Sequence, residues 1–251
     1  GARSYCDPRY IRRPICNNWG RVNLVVETVI AENLLLSREA MAKRVAQELQ
    51  AGWVVNLGIG MPVLTTKYVG ADQGVIVHSE NGIIGMGPPP REGEEDDDVR
   101  NAGNELTTLA LGAALVHQAD SFSLARGGRL NCAILGAFQV ATNGDLANWR
   151  LPQNPTGNIG GAMDIATGAN EVFAMMSHLT KDGQPKLVEE LTYPVTTLSC
   201  VTKIFTDIAV ISVTENGFVL DELAPGIGVE QVAACTNAPL LVHEALKNID
   251  V

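Results

Sequence analysis

Apolar positions follow two periods along the chain, and their order outlines an α/β protein. Met41, Val45 and Leu49 recur at i, i+4 and i+8 behind Ser37, a plausible N-cap, so a helix is expected to start there. Gly52 stands where a C-cap is expected. The run 53–57 then reads as a short apolar strand that ends in the loop 58–62, and 74–79 as a second strand closed by the turn Glu80-Asn81-Gly82. A helix over 120–128, closed by Gly127 and Gly128, precedes a buried strand over 130–140 that carries Gly136 and Ala137. Residues 158–164 form a glycine-rich junction, 172–176 and 208–213 read as strands, and 226–247 as a closing helical region. Strand, glycine loop, helix, strand is the rhythm of parallel α/β folds, whose ligands gather at the carboxyl ends of the strands. Both 58–62 and 80–82 lie at such ends.

Residues 1–36 break this pattern. They are basic, interrupted by prolines and hold one possible strand at 24–30, so they are left as an unassigned segment before a domain over 37–251. No linker-like stretch divides that domain and no internal repeat occurs in it.

Composition narrows the function. With 46% hydrophobic residues the chain can bury a sizeable core, and 25 glycines with 5% aromatics suit many tight strand–loop–helix junctions. A net charge of −10 argues against nucleic acid as a partner, because a phosphate backbone demands a Lys/Arg surface. Five dispersed cysteines and four isolated histidines show no metal-ligand spacing, so no metal site is expected, and the cysteines read as free thiols of a cytoplasmic protein. No apolar run reaches membrane-spanning length and the start carries no secretory signal. The acidic run 92–98 lacks the alternating ligands of a calcium loop and reads as a solvated loop.

Several familiar sites are missing. Gly58 and Gly60 are followed by Val63 where a dinucleotide fingerprint needs its third glycine, and there is no GxxxxGK(S/T), GxSxG or HExxH. What remains is a carboxylate among glycines. Glu80 sits at a strand end before Asn-Gly, a pair that permits a sharp turn and lets one side chain project into a cleft. A Glu before Asn-Gly is usually a turn residue and no more. Its company raises its interest, since 58–62, 136–137 and 160–162 are all places where bare backbone N–H groups could meet an oxyanion or a phosphate.

The stretches NLGIGMP (56–62), HSENGIIGMGP (78–88), GEEDDD (93–98), NAG (101–103), DSFSLARGG (120–128), ILGAFQV (134–140), NGDLANW (143–149), GGAMD (160–164), HLTKDGQPKLV (178–188) and TDIAV (206–210) carry a resemblance. In this order they resemble the B (β) subunits of family I CoA-transferases of the 3-oxoacid and 3-oxoadipate type. The resemblance implies a Rossmann-like α/β domain with a mostly parallel sheet flanked by helices. It implies Glu80 as nucleophile and the Gly161 N–H as oxyanion donor. Gly58, Ile59, Gly60 and Met61 would line the CoA site, with Asn81, Gly136, Ala137 and Gln139 along the same cleft. Lys181 and Lys186 are weaker candidates for the CoA phosphates, since either could be a solvated surface lysine. Coenzyme A would be substrate and transient covalent adduct, with no permanently bound cofactor. The implied partners are a CoA-transferase A (α) subunit, in an α2β2 assembly, and acyl-CoA and carboxylic acid substrates. The spellings GEEDDD and GAFQV favour 3-oxoadipate and succinyl-CoA. An acetoacetate-type transferase, an acyl-CoA hydrolase and a non-catalytic CoA-binding module are the alternatives.

Overall fold

A computed structural model describes residues 30–69, 73–154 and 156–251, together with the backbone of Tyr10–Ile11. The strand expected at 24–30 falls outside these residues, apart from Ile30. The strands are β1 (Tyr10–Ile11), β2 (Val54–Leu57), β3 (Ile76–Ser79), β4 (Ile83–Met86), β5 (Leu109–Leu115), β6 (Leu130–Leu135), β7 (Gln139–Ala141), β8 (Leu146–Ala147), β9 (Ala169–Met175), β10 (Leu187–Val188), β11 (Lys203–Phe205), β12 (Ala209–Thr214), β13 (Gly217–Leu223) and β14 (Leu240–Asn248). The α-helices are α1 (Arg38–Ala46), α2 (Gln118–Arg126), α3 (Ala162–Gly168) and α4 (Val229–Ala234), and Met61–Lys67 forms a 3₁₀ helix.

Eleven strands form one sheet in the order β1-β14-β13-β12-β11-β9-β6-β2-β3-β4-β5. Its centre, β11-β9-β6-β2-β3, is parallel throughout, while β4 and β5 on one side and β12 and β13 on the other extend it antiparallel. A three-stranded sheet, β10-β7-β8, sits beside it.

The central strands are buried on both faces, which is why they read as unbroken apolar runs. Alternate residues sort into two cores. Leu130, Ala133 and Leu135 of β6, with Val172 and Ala174 of β9, meet Ala125 of α2, Ile165 and Ala166 of α3 and Val232 of α4. Cys132, Ile134, Phe173 and Met175 point the other way, into a core with Met41 and Val45 of α1.

Ser37 caps α1 as expected, its hydroxyl accepting from the Ala40 N–H at 3.1 Å. The helix ends at Ala46, earlier than the sequence suggests, and Gly52 lies in the turn before β2 at φ +84°. The single strand expected at 130–140 is two strands, because the chain breaks at 136–138 and re-pairs in the small sheet. The closing helical region at 226–247 is also corrected. Only α4 is helical there, and 240–248 joins the large sheet parallel to β13, with Phe218 opposite Leu240. The helix-forming Glu, Ala, Leu and Lys of that stretch are overridden by a sheet edge ready to pair.

Candidate active site

The carboxyl ends of the parallel strands open into one cleft of about 940 Å³. The end of each strand and the segment just after it form the lining: Gly58, Ile59, Met61 and Pro62 from β2, Glu80 from β3, residues 136–138 from β6, residues 175–177 from β9 and Asp207 from β11. The start of α3, the residues before and inside α1, and Asn148, Trp149, Lys186, Val195 and Thr196 also line the cleft.

Glu80 is held from several sides. The Gly82 N–H donates to the Ser79 carbonyl at 3.0 Å, and the Val116 N–H to the Gly82 carbonyl at 2.9 Å. Gly82 has φ +126°, and a Cβ there would lie 2.2 Å from the Val116 carbonyl, so no other residue fits this turn. Ser79 is buried and its hydroxyl accepts from the Ala102 N–H at 2.9 Å, tying the loop around residue 102 beneath the turn.

Three polar side chains that the sequence reading did not single out run beneath the carboxylate. Asn56, on β2, is fully buried and its Nδ2 donates to Glu80 Oε2 at 3.1 Å. Strand register sets Asn56 beside His78, whose Nδ1 lies 3.1 Å and whose carbonyl 3.3 Å from the same amide nitrogen. Nδ1 therefore accepts, and the imidazole proton sits on Nε2, 2.8 Å from the Ser121 hydroxyl on α2. Burial pushes the His78 pKa down and keeps the ring neutral. Asn56 Oδ1 is buried with no hydrogen-bond partner among the described residues. The signal was in the sequence: an Asn and a His inside otherwise apolar strands must find partners.

Of the residues the sequence pointed to, Gly58, Ile59, Met61, Glu80, Gly136, Ala137 and Gly161 line the cleft. Gly60, Asn81 and Gln139 do not. Gly60 takes φ +86° before the 3₁₀ helix, and Asn81 is exposed with its Nδ2 donating to the Arg100 carbonyl at 2.7 Å. Gln139 is buried and committed to structure, its Oε1 accepting from the Thr192 N–H at 3.0 Å and the Tyr193 N–H at 3.1 Å. Lys181 is exposed and away from the cleft, whereas Lys186 lines it and its Nζ donates to Ser177 Oγ at 2.9 Å. Burial pulls the Lys186 ammonium down, and the charge of Asp207 opposes the shift.

Gly161 caps α3 with φ −78°, and it is glycine for lack of room: a Cβ would lie 2.8 Å from Phe122 Cζ. A Cβ on Gly136 or Gly160 would meet nothing within 4 Å. The fold leaves space there, on the side of the ligand cleft.

Among the described residues no group of three His, Cys, Asp or Glu side chains could hold a metal ion, and no helix is long and apolar enough to cross a membrane.

The profile of the coenzyme A transferase family matches residues 38–234. The chain is 52% identical over 207 residues to the B subunit of a 3-oxoadipate CoA-transferase of Pseudomonas putida, covering 82% of this chain and 97% of that one. It is 43% identical over 206 residues to the B subunit of a succinyl-CoA:3-ketoacid coenzyme A transferase of Helicobacter pylori, covering 82% and 99%. In fold it is similar to an acyl-CoA transferase of Escherichia coli O157:H7, with a TM-score of 0.67 at 20% identity, over 86% of this chain and 43% of that larger one. It is likewise similar to the glutaconate coenzyme A-transferase of Acidaminococcus fermentans, with a TM-score of 0.62 at 16% identity, over 86% and 89%. The AibA/AibB decarboxylase shares the fold at a TM-score of 0.65 and 20% identity, over 86% and 90%, so the architecture by itself does not choose the reaction. Sequence identity makes that choice: the chain belongs to the coenzyme A transferase family, as a subunit of the B type.

Proposed function

We propose that this chain moves CoA from succinyl-CoA to a 3-oxo acid, with 3-oxoadipate as the favoured acceptor, through a glutamyl-CoA thioester on Glu80. The observation that carries the reading is the seating of Glu80: a carboxylate at a strand end, held by the Asn56 amide and lining the same cleft as Gly161.

Glu80 attacks the thioester carbonyl and expels CoA thiolate, leaving a mixed anhydride. The thiolate returns to the glutamyl carbonyl and releases the first acid. The second acid then runs both steps in reverse, so the exchange is ping-pong. A carboxylate suits this role because the anhydride retains the reactivity of the thioester, which a serine ester would lose. The Gly161 N–H, at the start of α3, serves as oxyanion donor, a role worth roughly 3 kcal/mol in comparable sites. Gly58, Ile59, Met61, Gly136 and Ala137 accommodate the CoA arm, and Lys186 gives the cleft a positive charge for an anionic ligand. The 52% identity to a 3-oxoadipate CoA-transferase chain supports the acceptor. Relatives named as B subunits support an A subunit, in an α2β2 assembly. The free thiols of Cys132, Cys200 and Cys235 fit a cytoplasmic setting.

The test is chemical trapping. The chain, combined with an A subunit, is incubated with succinyl-CoA and then treated with borohydride. Reduction confined to the Glu80 peptide supports the transferase. Steady release of CoA thiol without an acceptor acid would make the protein a hydrolase, and neither result would leave a binding module.

A further inference from the structure

The strand β5 closes one edge of the large sheet, and its sequence LALGAAL carries no charge and no proline. Native edges are normally blunted by lysine, proline or a covering element, because free N–H and C=O groups invite another strand. Among the described residues this edge is apolar as well as open. Leu109 is 41%, Leu115 67% and Leu111 fully exposed. Register explains Leu111: Ile84 pairs with Ala114 and Met86 with Leu109, so two steps on β4 face five on β5 and residues 110–113 bulge outward. Gly85 and Gly112, both at positive φ, permit the bulge.

The two ends of β5 identify the occupant. At its start the chain is tied to the acidic loop, with the Gly87 N–H donating to the Thr108 carbonyl at 2.7 Å and the Thr107 N–H to the Val99 carbonyl at 3.1 Å. Residues 92–98 of that loop hold six exposed carboxylates. Arg100 pairs with Asp97 at 3.0 Å and Arg91 approaches Glu94 at 3.9 Å, which leaves most of the charge unanswered. At the other end, Val116 bonds the turn that carries Glu80. A body lying along β5 therefore touches acidic residues at one end and the nucleophile's turn at the other. A second copy of this chain is a poor match, since each carries −10.

We infer that the outer edge of β5, with Leu111 as its central knob, is the docking surface for the second subunit that completes the Glu80 site. That subunit meets it with an extended segment flanked by lysine and arginine side chains. The inference rests on the proposal that the active protein needs an A subunit.

The probe is the A subunit of the Pseudomonas putida 3-oxoadipate CoA-transferase, titrated into the full chain and followed by sedimentation and by hydrogen exchange. Slowed exchange of the amides of 109–115 in the complex is expected. Leu111→Asp should melt like the parent, because the side chain touches only water, yet bind roughly tenfold or more weakly. Paired Asp96→Lys and Asp98→Lys should weaken the complex most at low salt. Unchanged affinity of Leu111→Asp, or unchanged exchange over 109–115 in the complex, would overturn the assignment. Self-association of the chain alone that Leu111→Asp abolishes would give the edge to a second copy and also overturn it. Absence of any complex with the A subunit would defeat the two-subunit proposal itself, and this partner with it.

Discussion

Among the described residues Glu80 has one side-chain hydrogen bond, from Asn56, and that bond depends on what Asn56 leans on. One amide nitrogen faces three acceptors, Glu80 Oε2, His78 Nδ1 and the His78 carbonyl, so the amide can present only its donor side to the Glu80 carboxylate. Asn56→Ala removes that donor and lets the carboxylate swing. A misplacement of about 1 Å can cost ~10²-fold, so a loss of that order is expected in the rate of CoA-thiol release in a single turnover. Glu80→Ala should abolish transfer in a protein that still folds; more than a tenth of the parent turnover would remove Glu80 from the mechanism. Gly161 is a harder case. Gly161→Ala is expected to lower the melting temperature, because its methyl strikes the Phe122 ring. Combining it with Phe122→Ala relieves the clash. If turnover stays low in the double variant while that of Phe122→Ala alone is normal, the methyl is obstructing the cleft. Recovery of turnover would make Gly161 a packing glycine. The carboxylate was legible in the sequence because its turn chemistry is local. Asn56, His78 and Ser121 were not, because they meet only when β2, β3 and α2 are assembled, and their separations of 22 and 43 residues leave no local pattern.

Elements end where the cleft begins, and the break between β6 and β7 is the clearest instance. The apolar run 130–140 reads as one strand, since hydrophobicity does not mark where a ladder changes partner. Gly136 and Ala137 do mark it. Gly136 has room for a side chain on the protein's side and no positive φ to demand glycine. Gly136→Val is therefore expected to leave the melting temperature nearly unchanged and to raise the KM for acyl-CoA several-fold. A fall in stability with an unchanged KM would mean the glycine serves the fold. The start of α1, the turn at 80–82 and the C-terminal end of α2 could be read because caps and turns announce themselves in short sequence. The strand β14 could not, because its state is decided by β13, which lies about twenty residues earlier in the chain.

Across the molecule, α1 is fastened to the sheet by a charged cluster that no periodicity reveals. Arg44 grips Glu222 of β13 with two bonds of 2.7 and 2.6 Å and also reaches Glu48, which Lys203 of β11 meets at 2.7 Å. Arg44 and Glu222 are 8% and 4% exposed, so Arg44→Met leaves the buried carboxylate with the exposed Lys247, 3.2 Å away, as its remaining cation among the described residues and should cost about 3 kcal/mol, read as a fall in the urea midpoint. Burial alone would raise the carboxyls of Glu48 and Glu222. Hydrogen bonds and charge from Arg44, from Lys203 at Glu48 and from Lys247 at Glu222 more than offset it and hold both below the ordinary glutamate range. Their contribution is thus complete above the unfolded value near 4.5 and disappears as pH falls through the lower folded values. The parent should lose this contribution in that acid range, whereas in Arg44→Met burial drives the Glu222 carboxyl up and its protonation recovers part of the deficit, so the stability gap between the two proteins should narrow as pH falls. The helix α2 has a different reach. Ser121 props the His78–Asn56 chain under the carboxylate, Phe122 abuts Gly161, and Arg126 clasps Asp164 of α3 with bonds of 2.8 and 3.1 Å. One short helix thus acts as a spacer gauge between Glu80 and Gly161. In the proposed mechanism, the opening across which a tetrahedral carbon must fit is set by three side chains that never touch it.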